Sequence, residues 1–117
     1  MLISKPLRAI VALVALLSLT LALSPAAFAQ AAPAVTISDF KFTPQSVTVP
    51  VGTKVTWTND GPSTHTATGS GVFDSGPLAK GQSFSFTFKQ AGQFPYYCTL
   101  HGGPGGQGMA SSLTVEP

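Results

Sequence analysis

The segment Gly92-Gln93-Phe94-Pro95-Tyr96-Tyr97-Cys98 has the period-two alternation that decides the fold. In an extended chain, Phe94, Tyr96 and Cys98 fall on the same face. The same spacing recurs in Val35 and Ile37, Val47 to Val51, Val55 and Trp57, and Phe84, Phe86 and Phe88. Such alternation is typical of a β-strand with one buried face. The chain is therefore predicted to consist mainly of half-buried strands.

Turns rich in glycine and proline divide these segments at nearly regular intervals. We expect strands near residues 34–40, 45–51, 53–59, 64–68, 72–75, 82–89, 93–98 and 110–116. About eight short amphipathic strands in one small domain favour an all-β, Greek-key, two-sheet sandwich, because each sheet must bury one face. Trp57 and the alternating phenylalanines are expected to pack in its core.

The first 29 residues differ in composition from the rest, because 21 of them are apolar against 30 of the remaining 88. Lys5 and Arg8 precede an apolar run at 9–23, and Ala27-Phe28-Ala29 places small residues where a signal peptidase cleaves. This pattern predicts a secretory signal peptide. The alternative is an uncleaved anchor, which the run disfavours because a spanning helix needs about 20 residues.

Three parts of the chain are therefore expected: a signal peptide at 1–29, a short disordered N-terminus at 30–34, and one domain at 35–117. Cleavage near Ala29 predicts an exported protein, periplasmic or extracellular, without a membrane-spanning segment in the mature chain. The 88 residues that remain suffice for one small domain and are too few for an enzyme with an interdomain cleft.

The predicted signal peptide at 1–29 is called the leader below. The chain after it is formally neutral, because four lysines balance Asp39, Asp60, Asp74 and Glu116. The net charge of +2 comes from the leader alone. A neutral domain offers no electrostatic reason to expect a nucleic acid as partner. We expect a monomer that binds no nucleic acid.

The single cysteine, Cys98, excludes an intrachain disulfide. His101 follows it by three residues, and His65 follows an earlier turn. Met109 lies beyond the glycine-rich stretch Gly102 to Gly108, which is predicted as a mobile loop. Two imidazoles and a thiolate, with a weak axial thioether, form the type 1 copper site of blue electron-transfer proteins.

Each of these residues alone is weak support for a metal site, because single histidines and methionines more often have structural roles. Their combination is stronger, since the chain after the leader has no other His, Cys or Met. Zinc is the alternative metal, but a methionine ligand favours copper.

Further segments extend this pattern, namely Asp39-Phe40-Lys41-Phe42-Thr43-Pro44, Val55-Thr56-Trp57-Thr58-Asn59-Asp60, His65-Thr66, Phe73-Asp74-Ser75-Gly76 and Gly108-Met109. Together they resemble the cupredoxins, in particular blue copper proteins of the plastocyanin and amicyanin type. The resemblance implies an eight-stranded Greek-key sandwich with one copper per chain, bound by His65, Cys98, His101 and Met109. It also implies a soluble one-electron carrier that cycles between Cu(II) and Cu(I) and exchanges electrons with a donor and an acceptor redox protein.

Two features depart from the family's common pattern. The stretch Gly102 to Gly108 is longer than usual, which makes Gln107 an alternative axial ligand to Met109. Thr66 stands where many members have an asparagine that ties the two ligand loops together. Its hydroxyl is expected to make part of that contact.

Three functions are compatible with such a site, and the electron carrier is favoured. A copper chaperone or storage module is the alternative, but four protein ligands with a thiolate are poorly suited to metal release. An enzyme is disfavoured, because four protein ligands leave copper no open position. His101 is expected to present its imidazole edge to solvent as the path for electrons.

Overall fold

Nine strands build the part of the chain that the computed structural model describes, residues 33–117. They are β1 (Ala34–Ser38), β2 (Lys41–Thr43), β3 (Ser46–Pro50), β4 (Lys54–Asn59), β5 (Thr68–Gly69), β6 (Phe73–Asp74), β7 (Ser83–Thr87), β8 (Gly92–Gly103) and β9 (Gln107–Glu116). Within this range no helix is both long enough and apolar enough to cross a bilayer. The predicted signal peptide and residues 30–32 of the predicted N-terminal segment lie outside the described residues.

The strands form two sheets, one in the order β2-β1-β4-β7 and the other in the order β3-β9-β8-β5-β6. β1 runs parallel to β4 and β3 runs parallel to β9, while the other pairs are antiparallel. The chain crosses between the sheets, since β3 and β4 are consecutive but belong to different ones. The predicted all-β two-sheet sandwich is confirmed.

The core lies between the sheets and centres on Trp57 of β4, which is fully buried. Its ring stacks on Phe73 with centroids 5.0 Å apart and meets Tyr96 edge-on at 5.6 Å. Phe73 and Tyr96 belong to the other sheet, so the indole joins the two layers. Phe88 is buried against the same ring, and Phe84 is partly buried against it. The predicted aromatic core is confirmed.

Several strand boundaries differ from the predicted ones. β2 was not predicted as a separate strand. β1 begins at Ala34, where the predicted strand 34–40 begins, although the same residue was also assigned to the short disordered N-terminus, and it ends earlier, at Ser38. In the predicted strand 64–68, His65 makes only an isolated bridge with Leu78, and the paired residues begin at Thr68.

The glycine-rich stretch Gly102 to Gly108 is the largest correction. It was predicted as a mobile loop, but Gly102 pairs with Gly108 and Gly103 pairs with Gln107. β8 and β9 therefore form one long hairpin, and only residues 104–106 turn. Glycine-rich composition indicates a loop, yet the flanking strands continue their pairing into this stretch, and the positive φ angles of Gly105 and Gly106 serve the turn.

Candidate metal centre

The pairing of β8 with β9 is interrupted once, and the interruption lies at the candidate metal centre. Tyr97 pairs with Ala110 and the next pair is Gly102 with Gly108, so four residues of β8 lie opposite a single residue of β9, Met109. Bulges re-aim the side chains of the strand that carries the extra residues. Here the extra residues include both Cys98 and His101. A regular extended strand would keep these two side chains apart.

Three predicted ligand atoms converge at this bulge. The Sγ atom of Cys98 lies 3.8 Å from Nδ1 of His65 and 3.6 Å from Nδ1 of His101. All three atoms lie within 4.8 Å of one another. Two donors that share one metal ion at bond lengths of about 2.0 and 2.3 Å are separated by about 3.5–3.7 Å. Both the distances and the sulfur–nitrogen donor set therefore fit one transition-metal ion.

His65 is carried by a segment that a buried asparagine holds in place. Asn59 is fully buried at the end of β4, and its Nδ2 donates to the carbonyl oxygens of Ser63 and Leu78, both at 2.8 Å. Its Oδ1 accepts from the backbone N–H of Gly61 at 3.0 Å. The backbones of His65 and Leu78 bond to each other in both directions. The side-chain amide thus determines the path of the chain towards the first histidine.

Thr66 connects the two segments that carry the candidate ligands. Its hydroxyl accepts from the backbone N–H of Thr99 at 2.9 Å and lies 3.2 Å from the Thr99 hydroxyl. Its own backbone N–H donates to Sγ of Cys98 at 3.4 Å. The expected contact between the ligand segments is therefore present.

The four predicted ligands differ in their access to solvent. Cys98 and His65 are fully buried and Met109 is 3% exposed, whereas His101 is exposed, as predicted. Gln107, the alternative axial residue, is exposed at the tip of the hairpin. The structure thus brings His65, Cys98 and His101 together and buries Met109 on the strand opposite them.

The turn between β1 and β2 supplies two residues to which the sequence analysis assigned no role. Oδ1 of Asp39 lies 2.6 Å from Nε2 of His65. The ring of Phe40 has its centroid 4.7 Å from that of His101 and 5.9 Å from that of His65. The motif Asp39-Phe40 was part of the family resemblance, but no spacing rule relates this turn to either histidine.

Asp39 is a carboxylate at neutral pH. The hydrogen bond with His65 is the main cause that holds its pKa below the ordinary value, and hydrogen bonds from the hydroxyl and backbone N–H of Ser63 act in the same direction. A negative charge therefore lies against the outer nitrogen of the buried histidine.

The two-sheet β-sandwich gathers two imidazoles and one thiol at a single bulge. This fold and this donor set are those of a small metal-binding β-protein. The chain belongs to the cupredoxin-like family, since the family's domain profile matches residues 9–109. It is 32% identical over 91 residues to plastocyanin from Scenedesmus fuscus, across 64% of this chain and 86% of the plastocyanin. The family resemblance identified from the sequence is confirmed, and membership supports copper as the cofactor.

Two solved structures support the same family assignment. A methionine-to-leucine mutant of oxidised amicyanin superposes with a TM-score of 0.62 and 31% identity, covering 73% of this chain and 82% of that one. A novel purple cupredoxin from Nitrosopumilus maritimus has a TM-score of 0.62 and 28% identity, covering 72% of this chain and 99% of that one.

The close approach of Gly102 to the backbone of Met109 generates a prediction. A Cβ on Gly102 would lie 2.5 Å from the carbonyl oxygen and 2.8 Å from the nitrogen of Met109. We expect Gly102→Ala to lower the free energy of unfolding by about 1–3 kcal/mol, because backbone atoms of the hairpin must shift. Urea unfolding of the metal-free protein measures this loss.

Gly103→Ala is the matched control, because its Cβ would approach nothing nearer than the side-chain oxygen of Gln107, at 3.5 Å. This variant should differ from the wild type by less than about 0.5 kcal/mol. Equal stability of the two alanine variants would contradict the tight packing of Gly102 against Met109.

Proposed function

We propose that this protein is a soluble one-electron carrier that binds one copper ion and cycles between Cu(II) and Cu(I). The observation that carries this proposal is the cluster of two imidazole nitrogens around the sulfur of Cys98, with one histidine buried and the other exposed. A buried ligand set keeps the metal bound, while an exposed ligand edge gives electrons a short path to a partner.

We assign His65, Cys98 and His101 as the three strong ligands and Met109 as the weak axial ligand. Copper, when bound, supplies the one-electron couple. The chain's own contribution is to hold the donors still. Thr66 ties the two ligand segments together, and burial restricts the side chains of His65 and Cys98. Donors held in one arrangement limit the rearrangement that accompanies a change of charge at the site.

The surface around His101 supports docking through apolar contact. Phe40 is 57% exposed and Leu100 is 56% exposed, and the Phe40 ring lies against that of His101. The domain after the leader is formally neutral, so steering by net charge is weak. The partners that fit are a donor and an acceptor redox protein that present small apolar patches. The leader supports export of the protein to the periplasm or the extracellular space.

The alternative functions fit the site less well. A chaperone or storage module must release its metal, whereas Cys98 and His65 have no exposed surface. An enzyme needs an open coordination position, which four protein ligands do not leave. We therefore propose a carrier that is not an enzyme.

Optical and electrochemical measurements test this proposal. The protein loaded with Cu(II) should show an intense visible thiolate-to-copper band, together with a reversible midpoint potential and fast self-exchange. Cys98→Ser should abolish the band, because the serine oxygen cannot replace the thiolate. A colourless protein that binds zinc as tightly as copper would contradict the proposal, and ready transfer of copper to a chelator would favour the storage module.

The difference in exposure between the two histidines generates a second prediction. In the copper-loaded His101→Gly variant, external imidazole should restore the visible band, since the vacated position opens to solvent. His65→Gly should respond far less to the same imidazole concentrations, because the position is enclosed. Optical titration with imidazole measures both responses. Equal restoration in the two variants would show that His101 is not the exposed ligand.

The axial ligand is tested by substitutions at the two competing positions. Met109→Gln should lower the midpoint potential, because a harder amide oxygen favours Cu(II), and Met109→Leu should raise it by removing the donor. Gln107→Ala, on the exposed tip of the hairpin, should change neither the potential nor the spectrum. The opposite pattern, with changes only in the Gln107 variant, would identify Gln107 as the axial residue. Voltammetry and visible absorption provide the measurements.

A further inference from the structure

Each nitrogen atom of the His65 imidazole faces a different side chain. Its Nδ1 faces the sulfur of Cys98 at 3.8 Å, and its Nε2 lies 2.6 Å from Oδ1 of Asp39. The histidine side chain is fully buried, while that of Asp39 is 25% exposed. The ring therefore bridges the metal centre and a carboxylate at the edge of the protein.

The carboxylate decides which ring nitrogen carries the proton. A neutral imidazole has one N–H, and a carboxylate accepts but cannot donate a hydrogen bond. The contact with Asp39 thus places the proton on Nε2 and leaves the lone pair of Nδ1 directed towards Cys98. In metal sites, an outer carboxylate of this kind orients the ligand and makes it a stronger base.

The carboxylate is itself held in position. The hydroxyl of Ser63 donates to Oδ2 at 3.0 Å, and the backbone N–H of Ser63 points to Oδ1 at 3.4 Å. Gly61 lies so close that a Cβ there would be 2.7 Å from Oδ1 of Asp39. These contacts fix the direction from which the carboxylate approaches the ring.

The second histidine has a different outer environment. Among residues 33–117, the hydrogen bond between Asp39 and His65 is the one contact of a histidine side chain with a carboxylate. His101 instead lies against the ring of Phe40. The carboxylate of Asp39 therefore contacts only one of the two candidate histidine ligands, the buried one.

We propose that Asp39 is a positioning residue of the metal centre. It fixes the tautomer and orientation of His65, and its negative charge, transmitted through the imidazole, stabilises the more positive oxidation state of the bound metal and so lowers the reduction potential. The effect on the potential rests on the proposed function, whereas the effect on the tautomer is a property of the metal-free protein.

The first test is long-range proton–nitrogen NMR of the metal-free protein labelled with ¹⁵N. In the wild type, His65 should carry its proton on Nε2. Asp39→Asn should keep that tautomer, because the amide oxygen still accepts from Nε2–H, whereas Asp39→Ala should give a mixture of both tautomers. A wild-type protein with the His65 proton on Nδ1, or an unchanged tautomer in Asp39→Ala, would overturn the positioning role.

The second test compares midpoint potentials of the copper-loaded proteins. Asp39→Asn should raise the potential, since it removes the charge while keeping the hydrogen bond. A tenfold loss of preference for Cu(II) over Cu(I) corresponds to a rise of about 59 mV for a one-electron couple. Asp39→Ala should also weaken copper binding by roughly 10–100-fold, as loss of outer partners does in other metal sites.

Glu116→Gln is the matched control, because it removes the same charge from the far end of β9. Glu116 lies seven positions beyond Met109 along the strand, a distance of roughly 23 Å that exceeds the screening length of about 8–10 Å. An equal potential shift in Asp39→Asn and Glu116→Gln would overturn the electrostatic role. A wild-type protein without a visible band would overturn the electron-carrier proposal instead, and the NMR result decides the positioning role in either case.

Discussion

The bulge in the β8–β9 hairpin is the constraint on which the candidate metal centre depends. Regular pairing holds the hairpin together on both sides of it, from Gly92 to Tyr97 and again at Gly102 and Gly103. Between these regions, four residues occupy the space of one, and the backbone must turn two donor side chains towards the same point. The absence of a side chain at Gly102 lets the two strands approach closely beside Met109. The pairing of β8 with β9 thus makes the hairpin rigid, and the one interruption of that pairing forms the candidate site.

Donor geometry also depends on polar side chains that lie outside the ligand set. Asn59 holds the segment that leads to the first histidine, and Thr66 ties that segment to the bulge. Asp39 reaches the outer nitrogen of His65 from the turn between β1 and β2. The contacts of Asn59 with Leu78, of Thr66 with Thr99 and of Asp39 with His65 each join parts of the chain that are distant in sequence. A buried polar group left unpaired carries a large free-energy cost, so such contacts favour one arrangement of the site over others.

The fold class and the candidate ligands could be predicted from the sequence, whereas several boundaries and contacts could not. Period-two alternation marked the strands around Trp57 and Tyr96 correctly, because one buried face requires an apolar residue at every second position. The glycine-rich stretch from Gly102 to Gly108 was predicted as a loop and is largely paired. Its composition contains no apolar alternation, and the pairing arises because the flanking strands continue their hydrogen bonding into it.

The sequence by itself determined which chemistry is available after residue 29: one thiol, two imidazoles, one thioether, and a formally neutral sandwich to carry them. These properties depend on residue type and local spacing, which a sequence displays directly. The exposure of His101 was expected at the sequence level, but only the tertiary structure decided how fully His65 and Cys98 are enclosed, and that a carboxylate 26 positions away in the chain faces the buried histidine. Exposure and contact between distant residues are set by how the two sheets pack, because burial is a property of the assembled layers and not of any single strand.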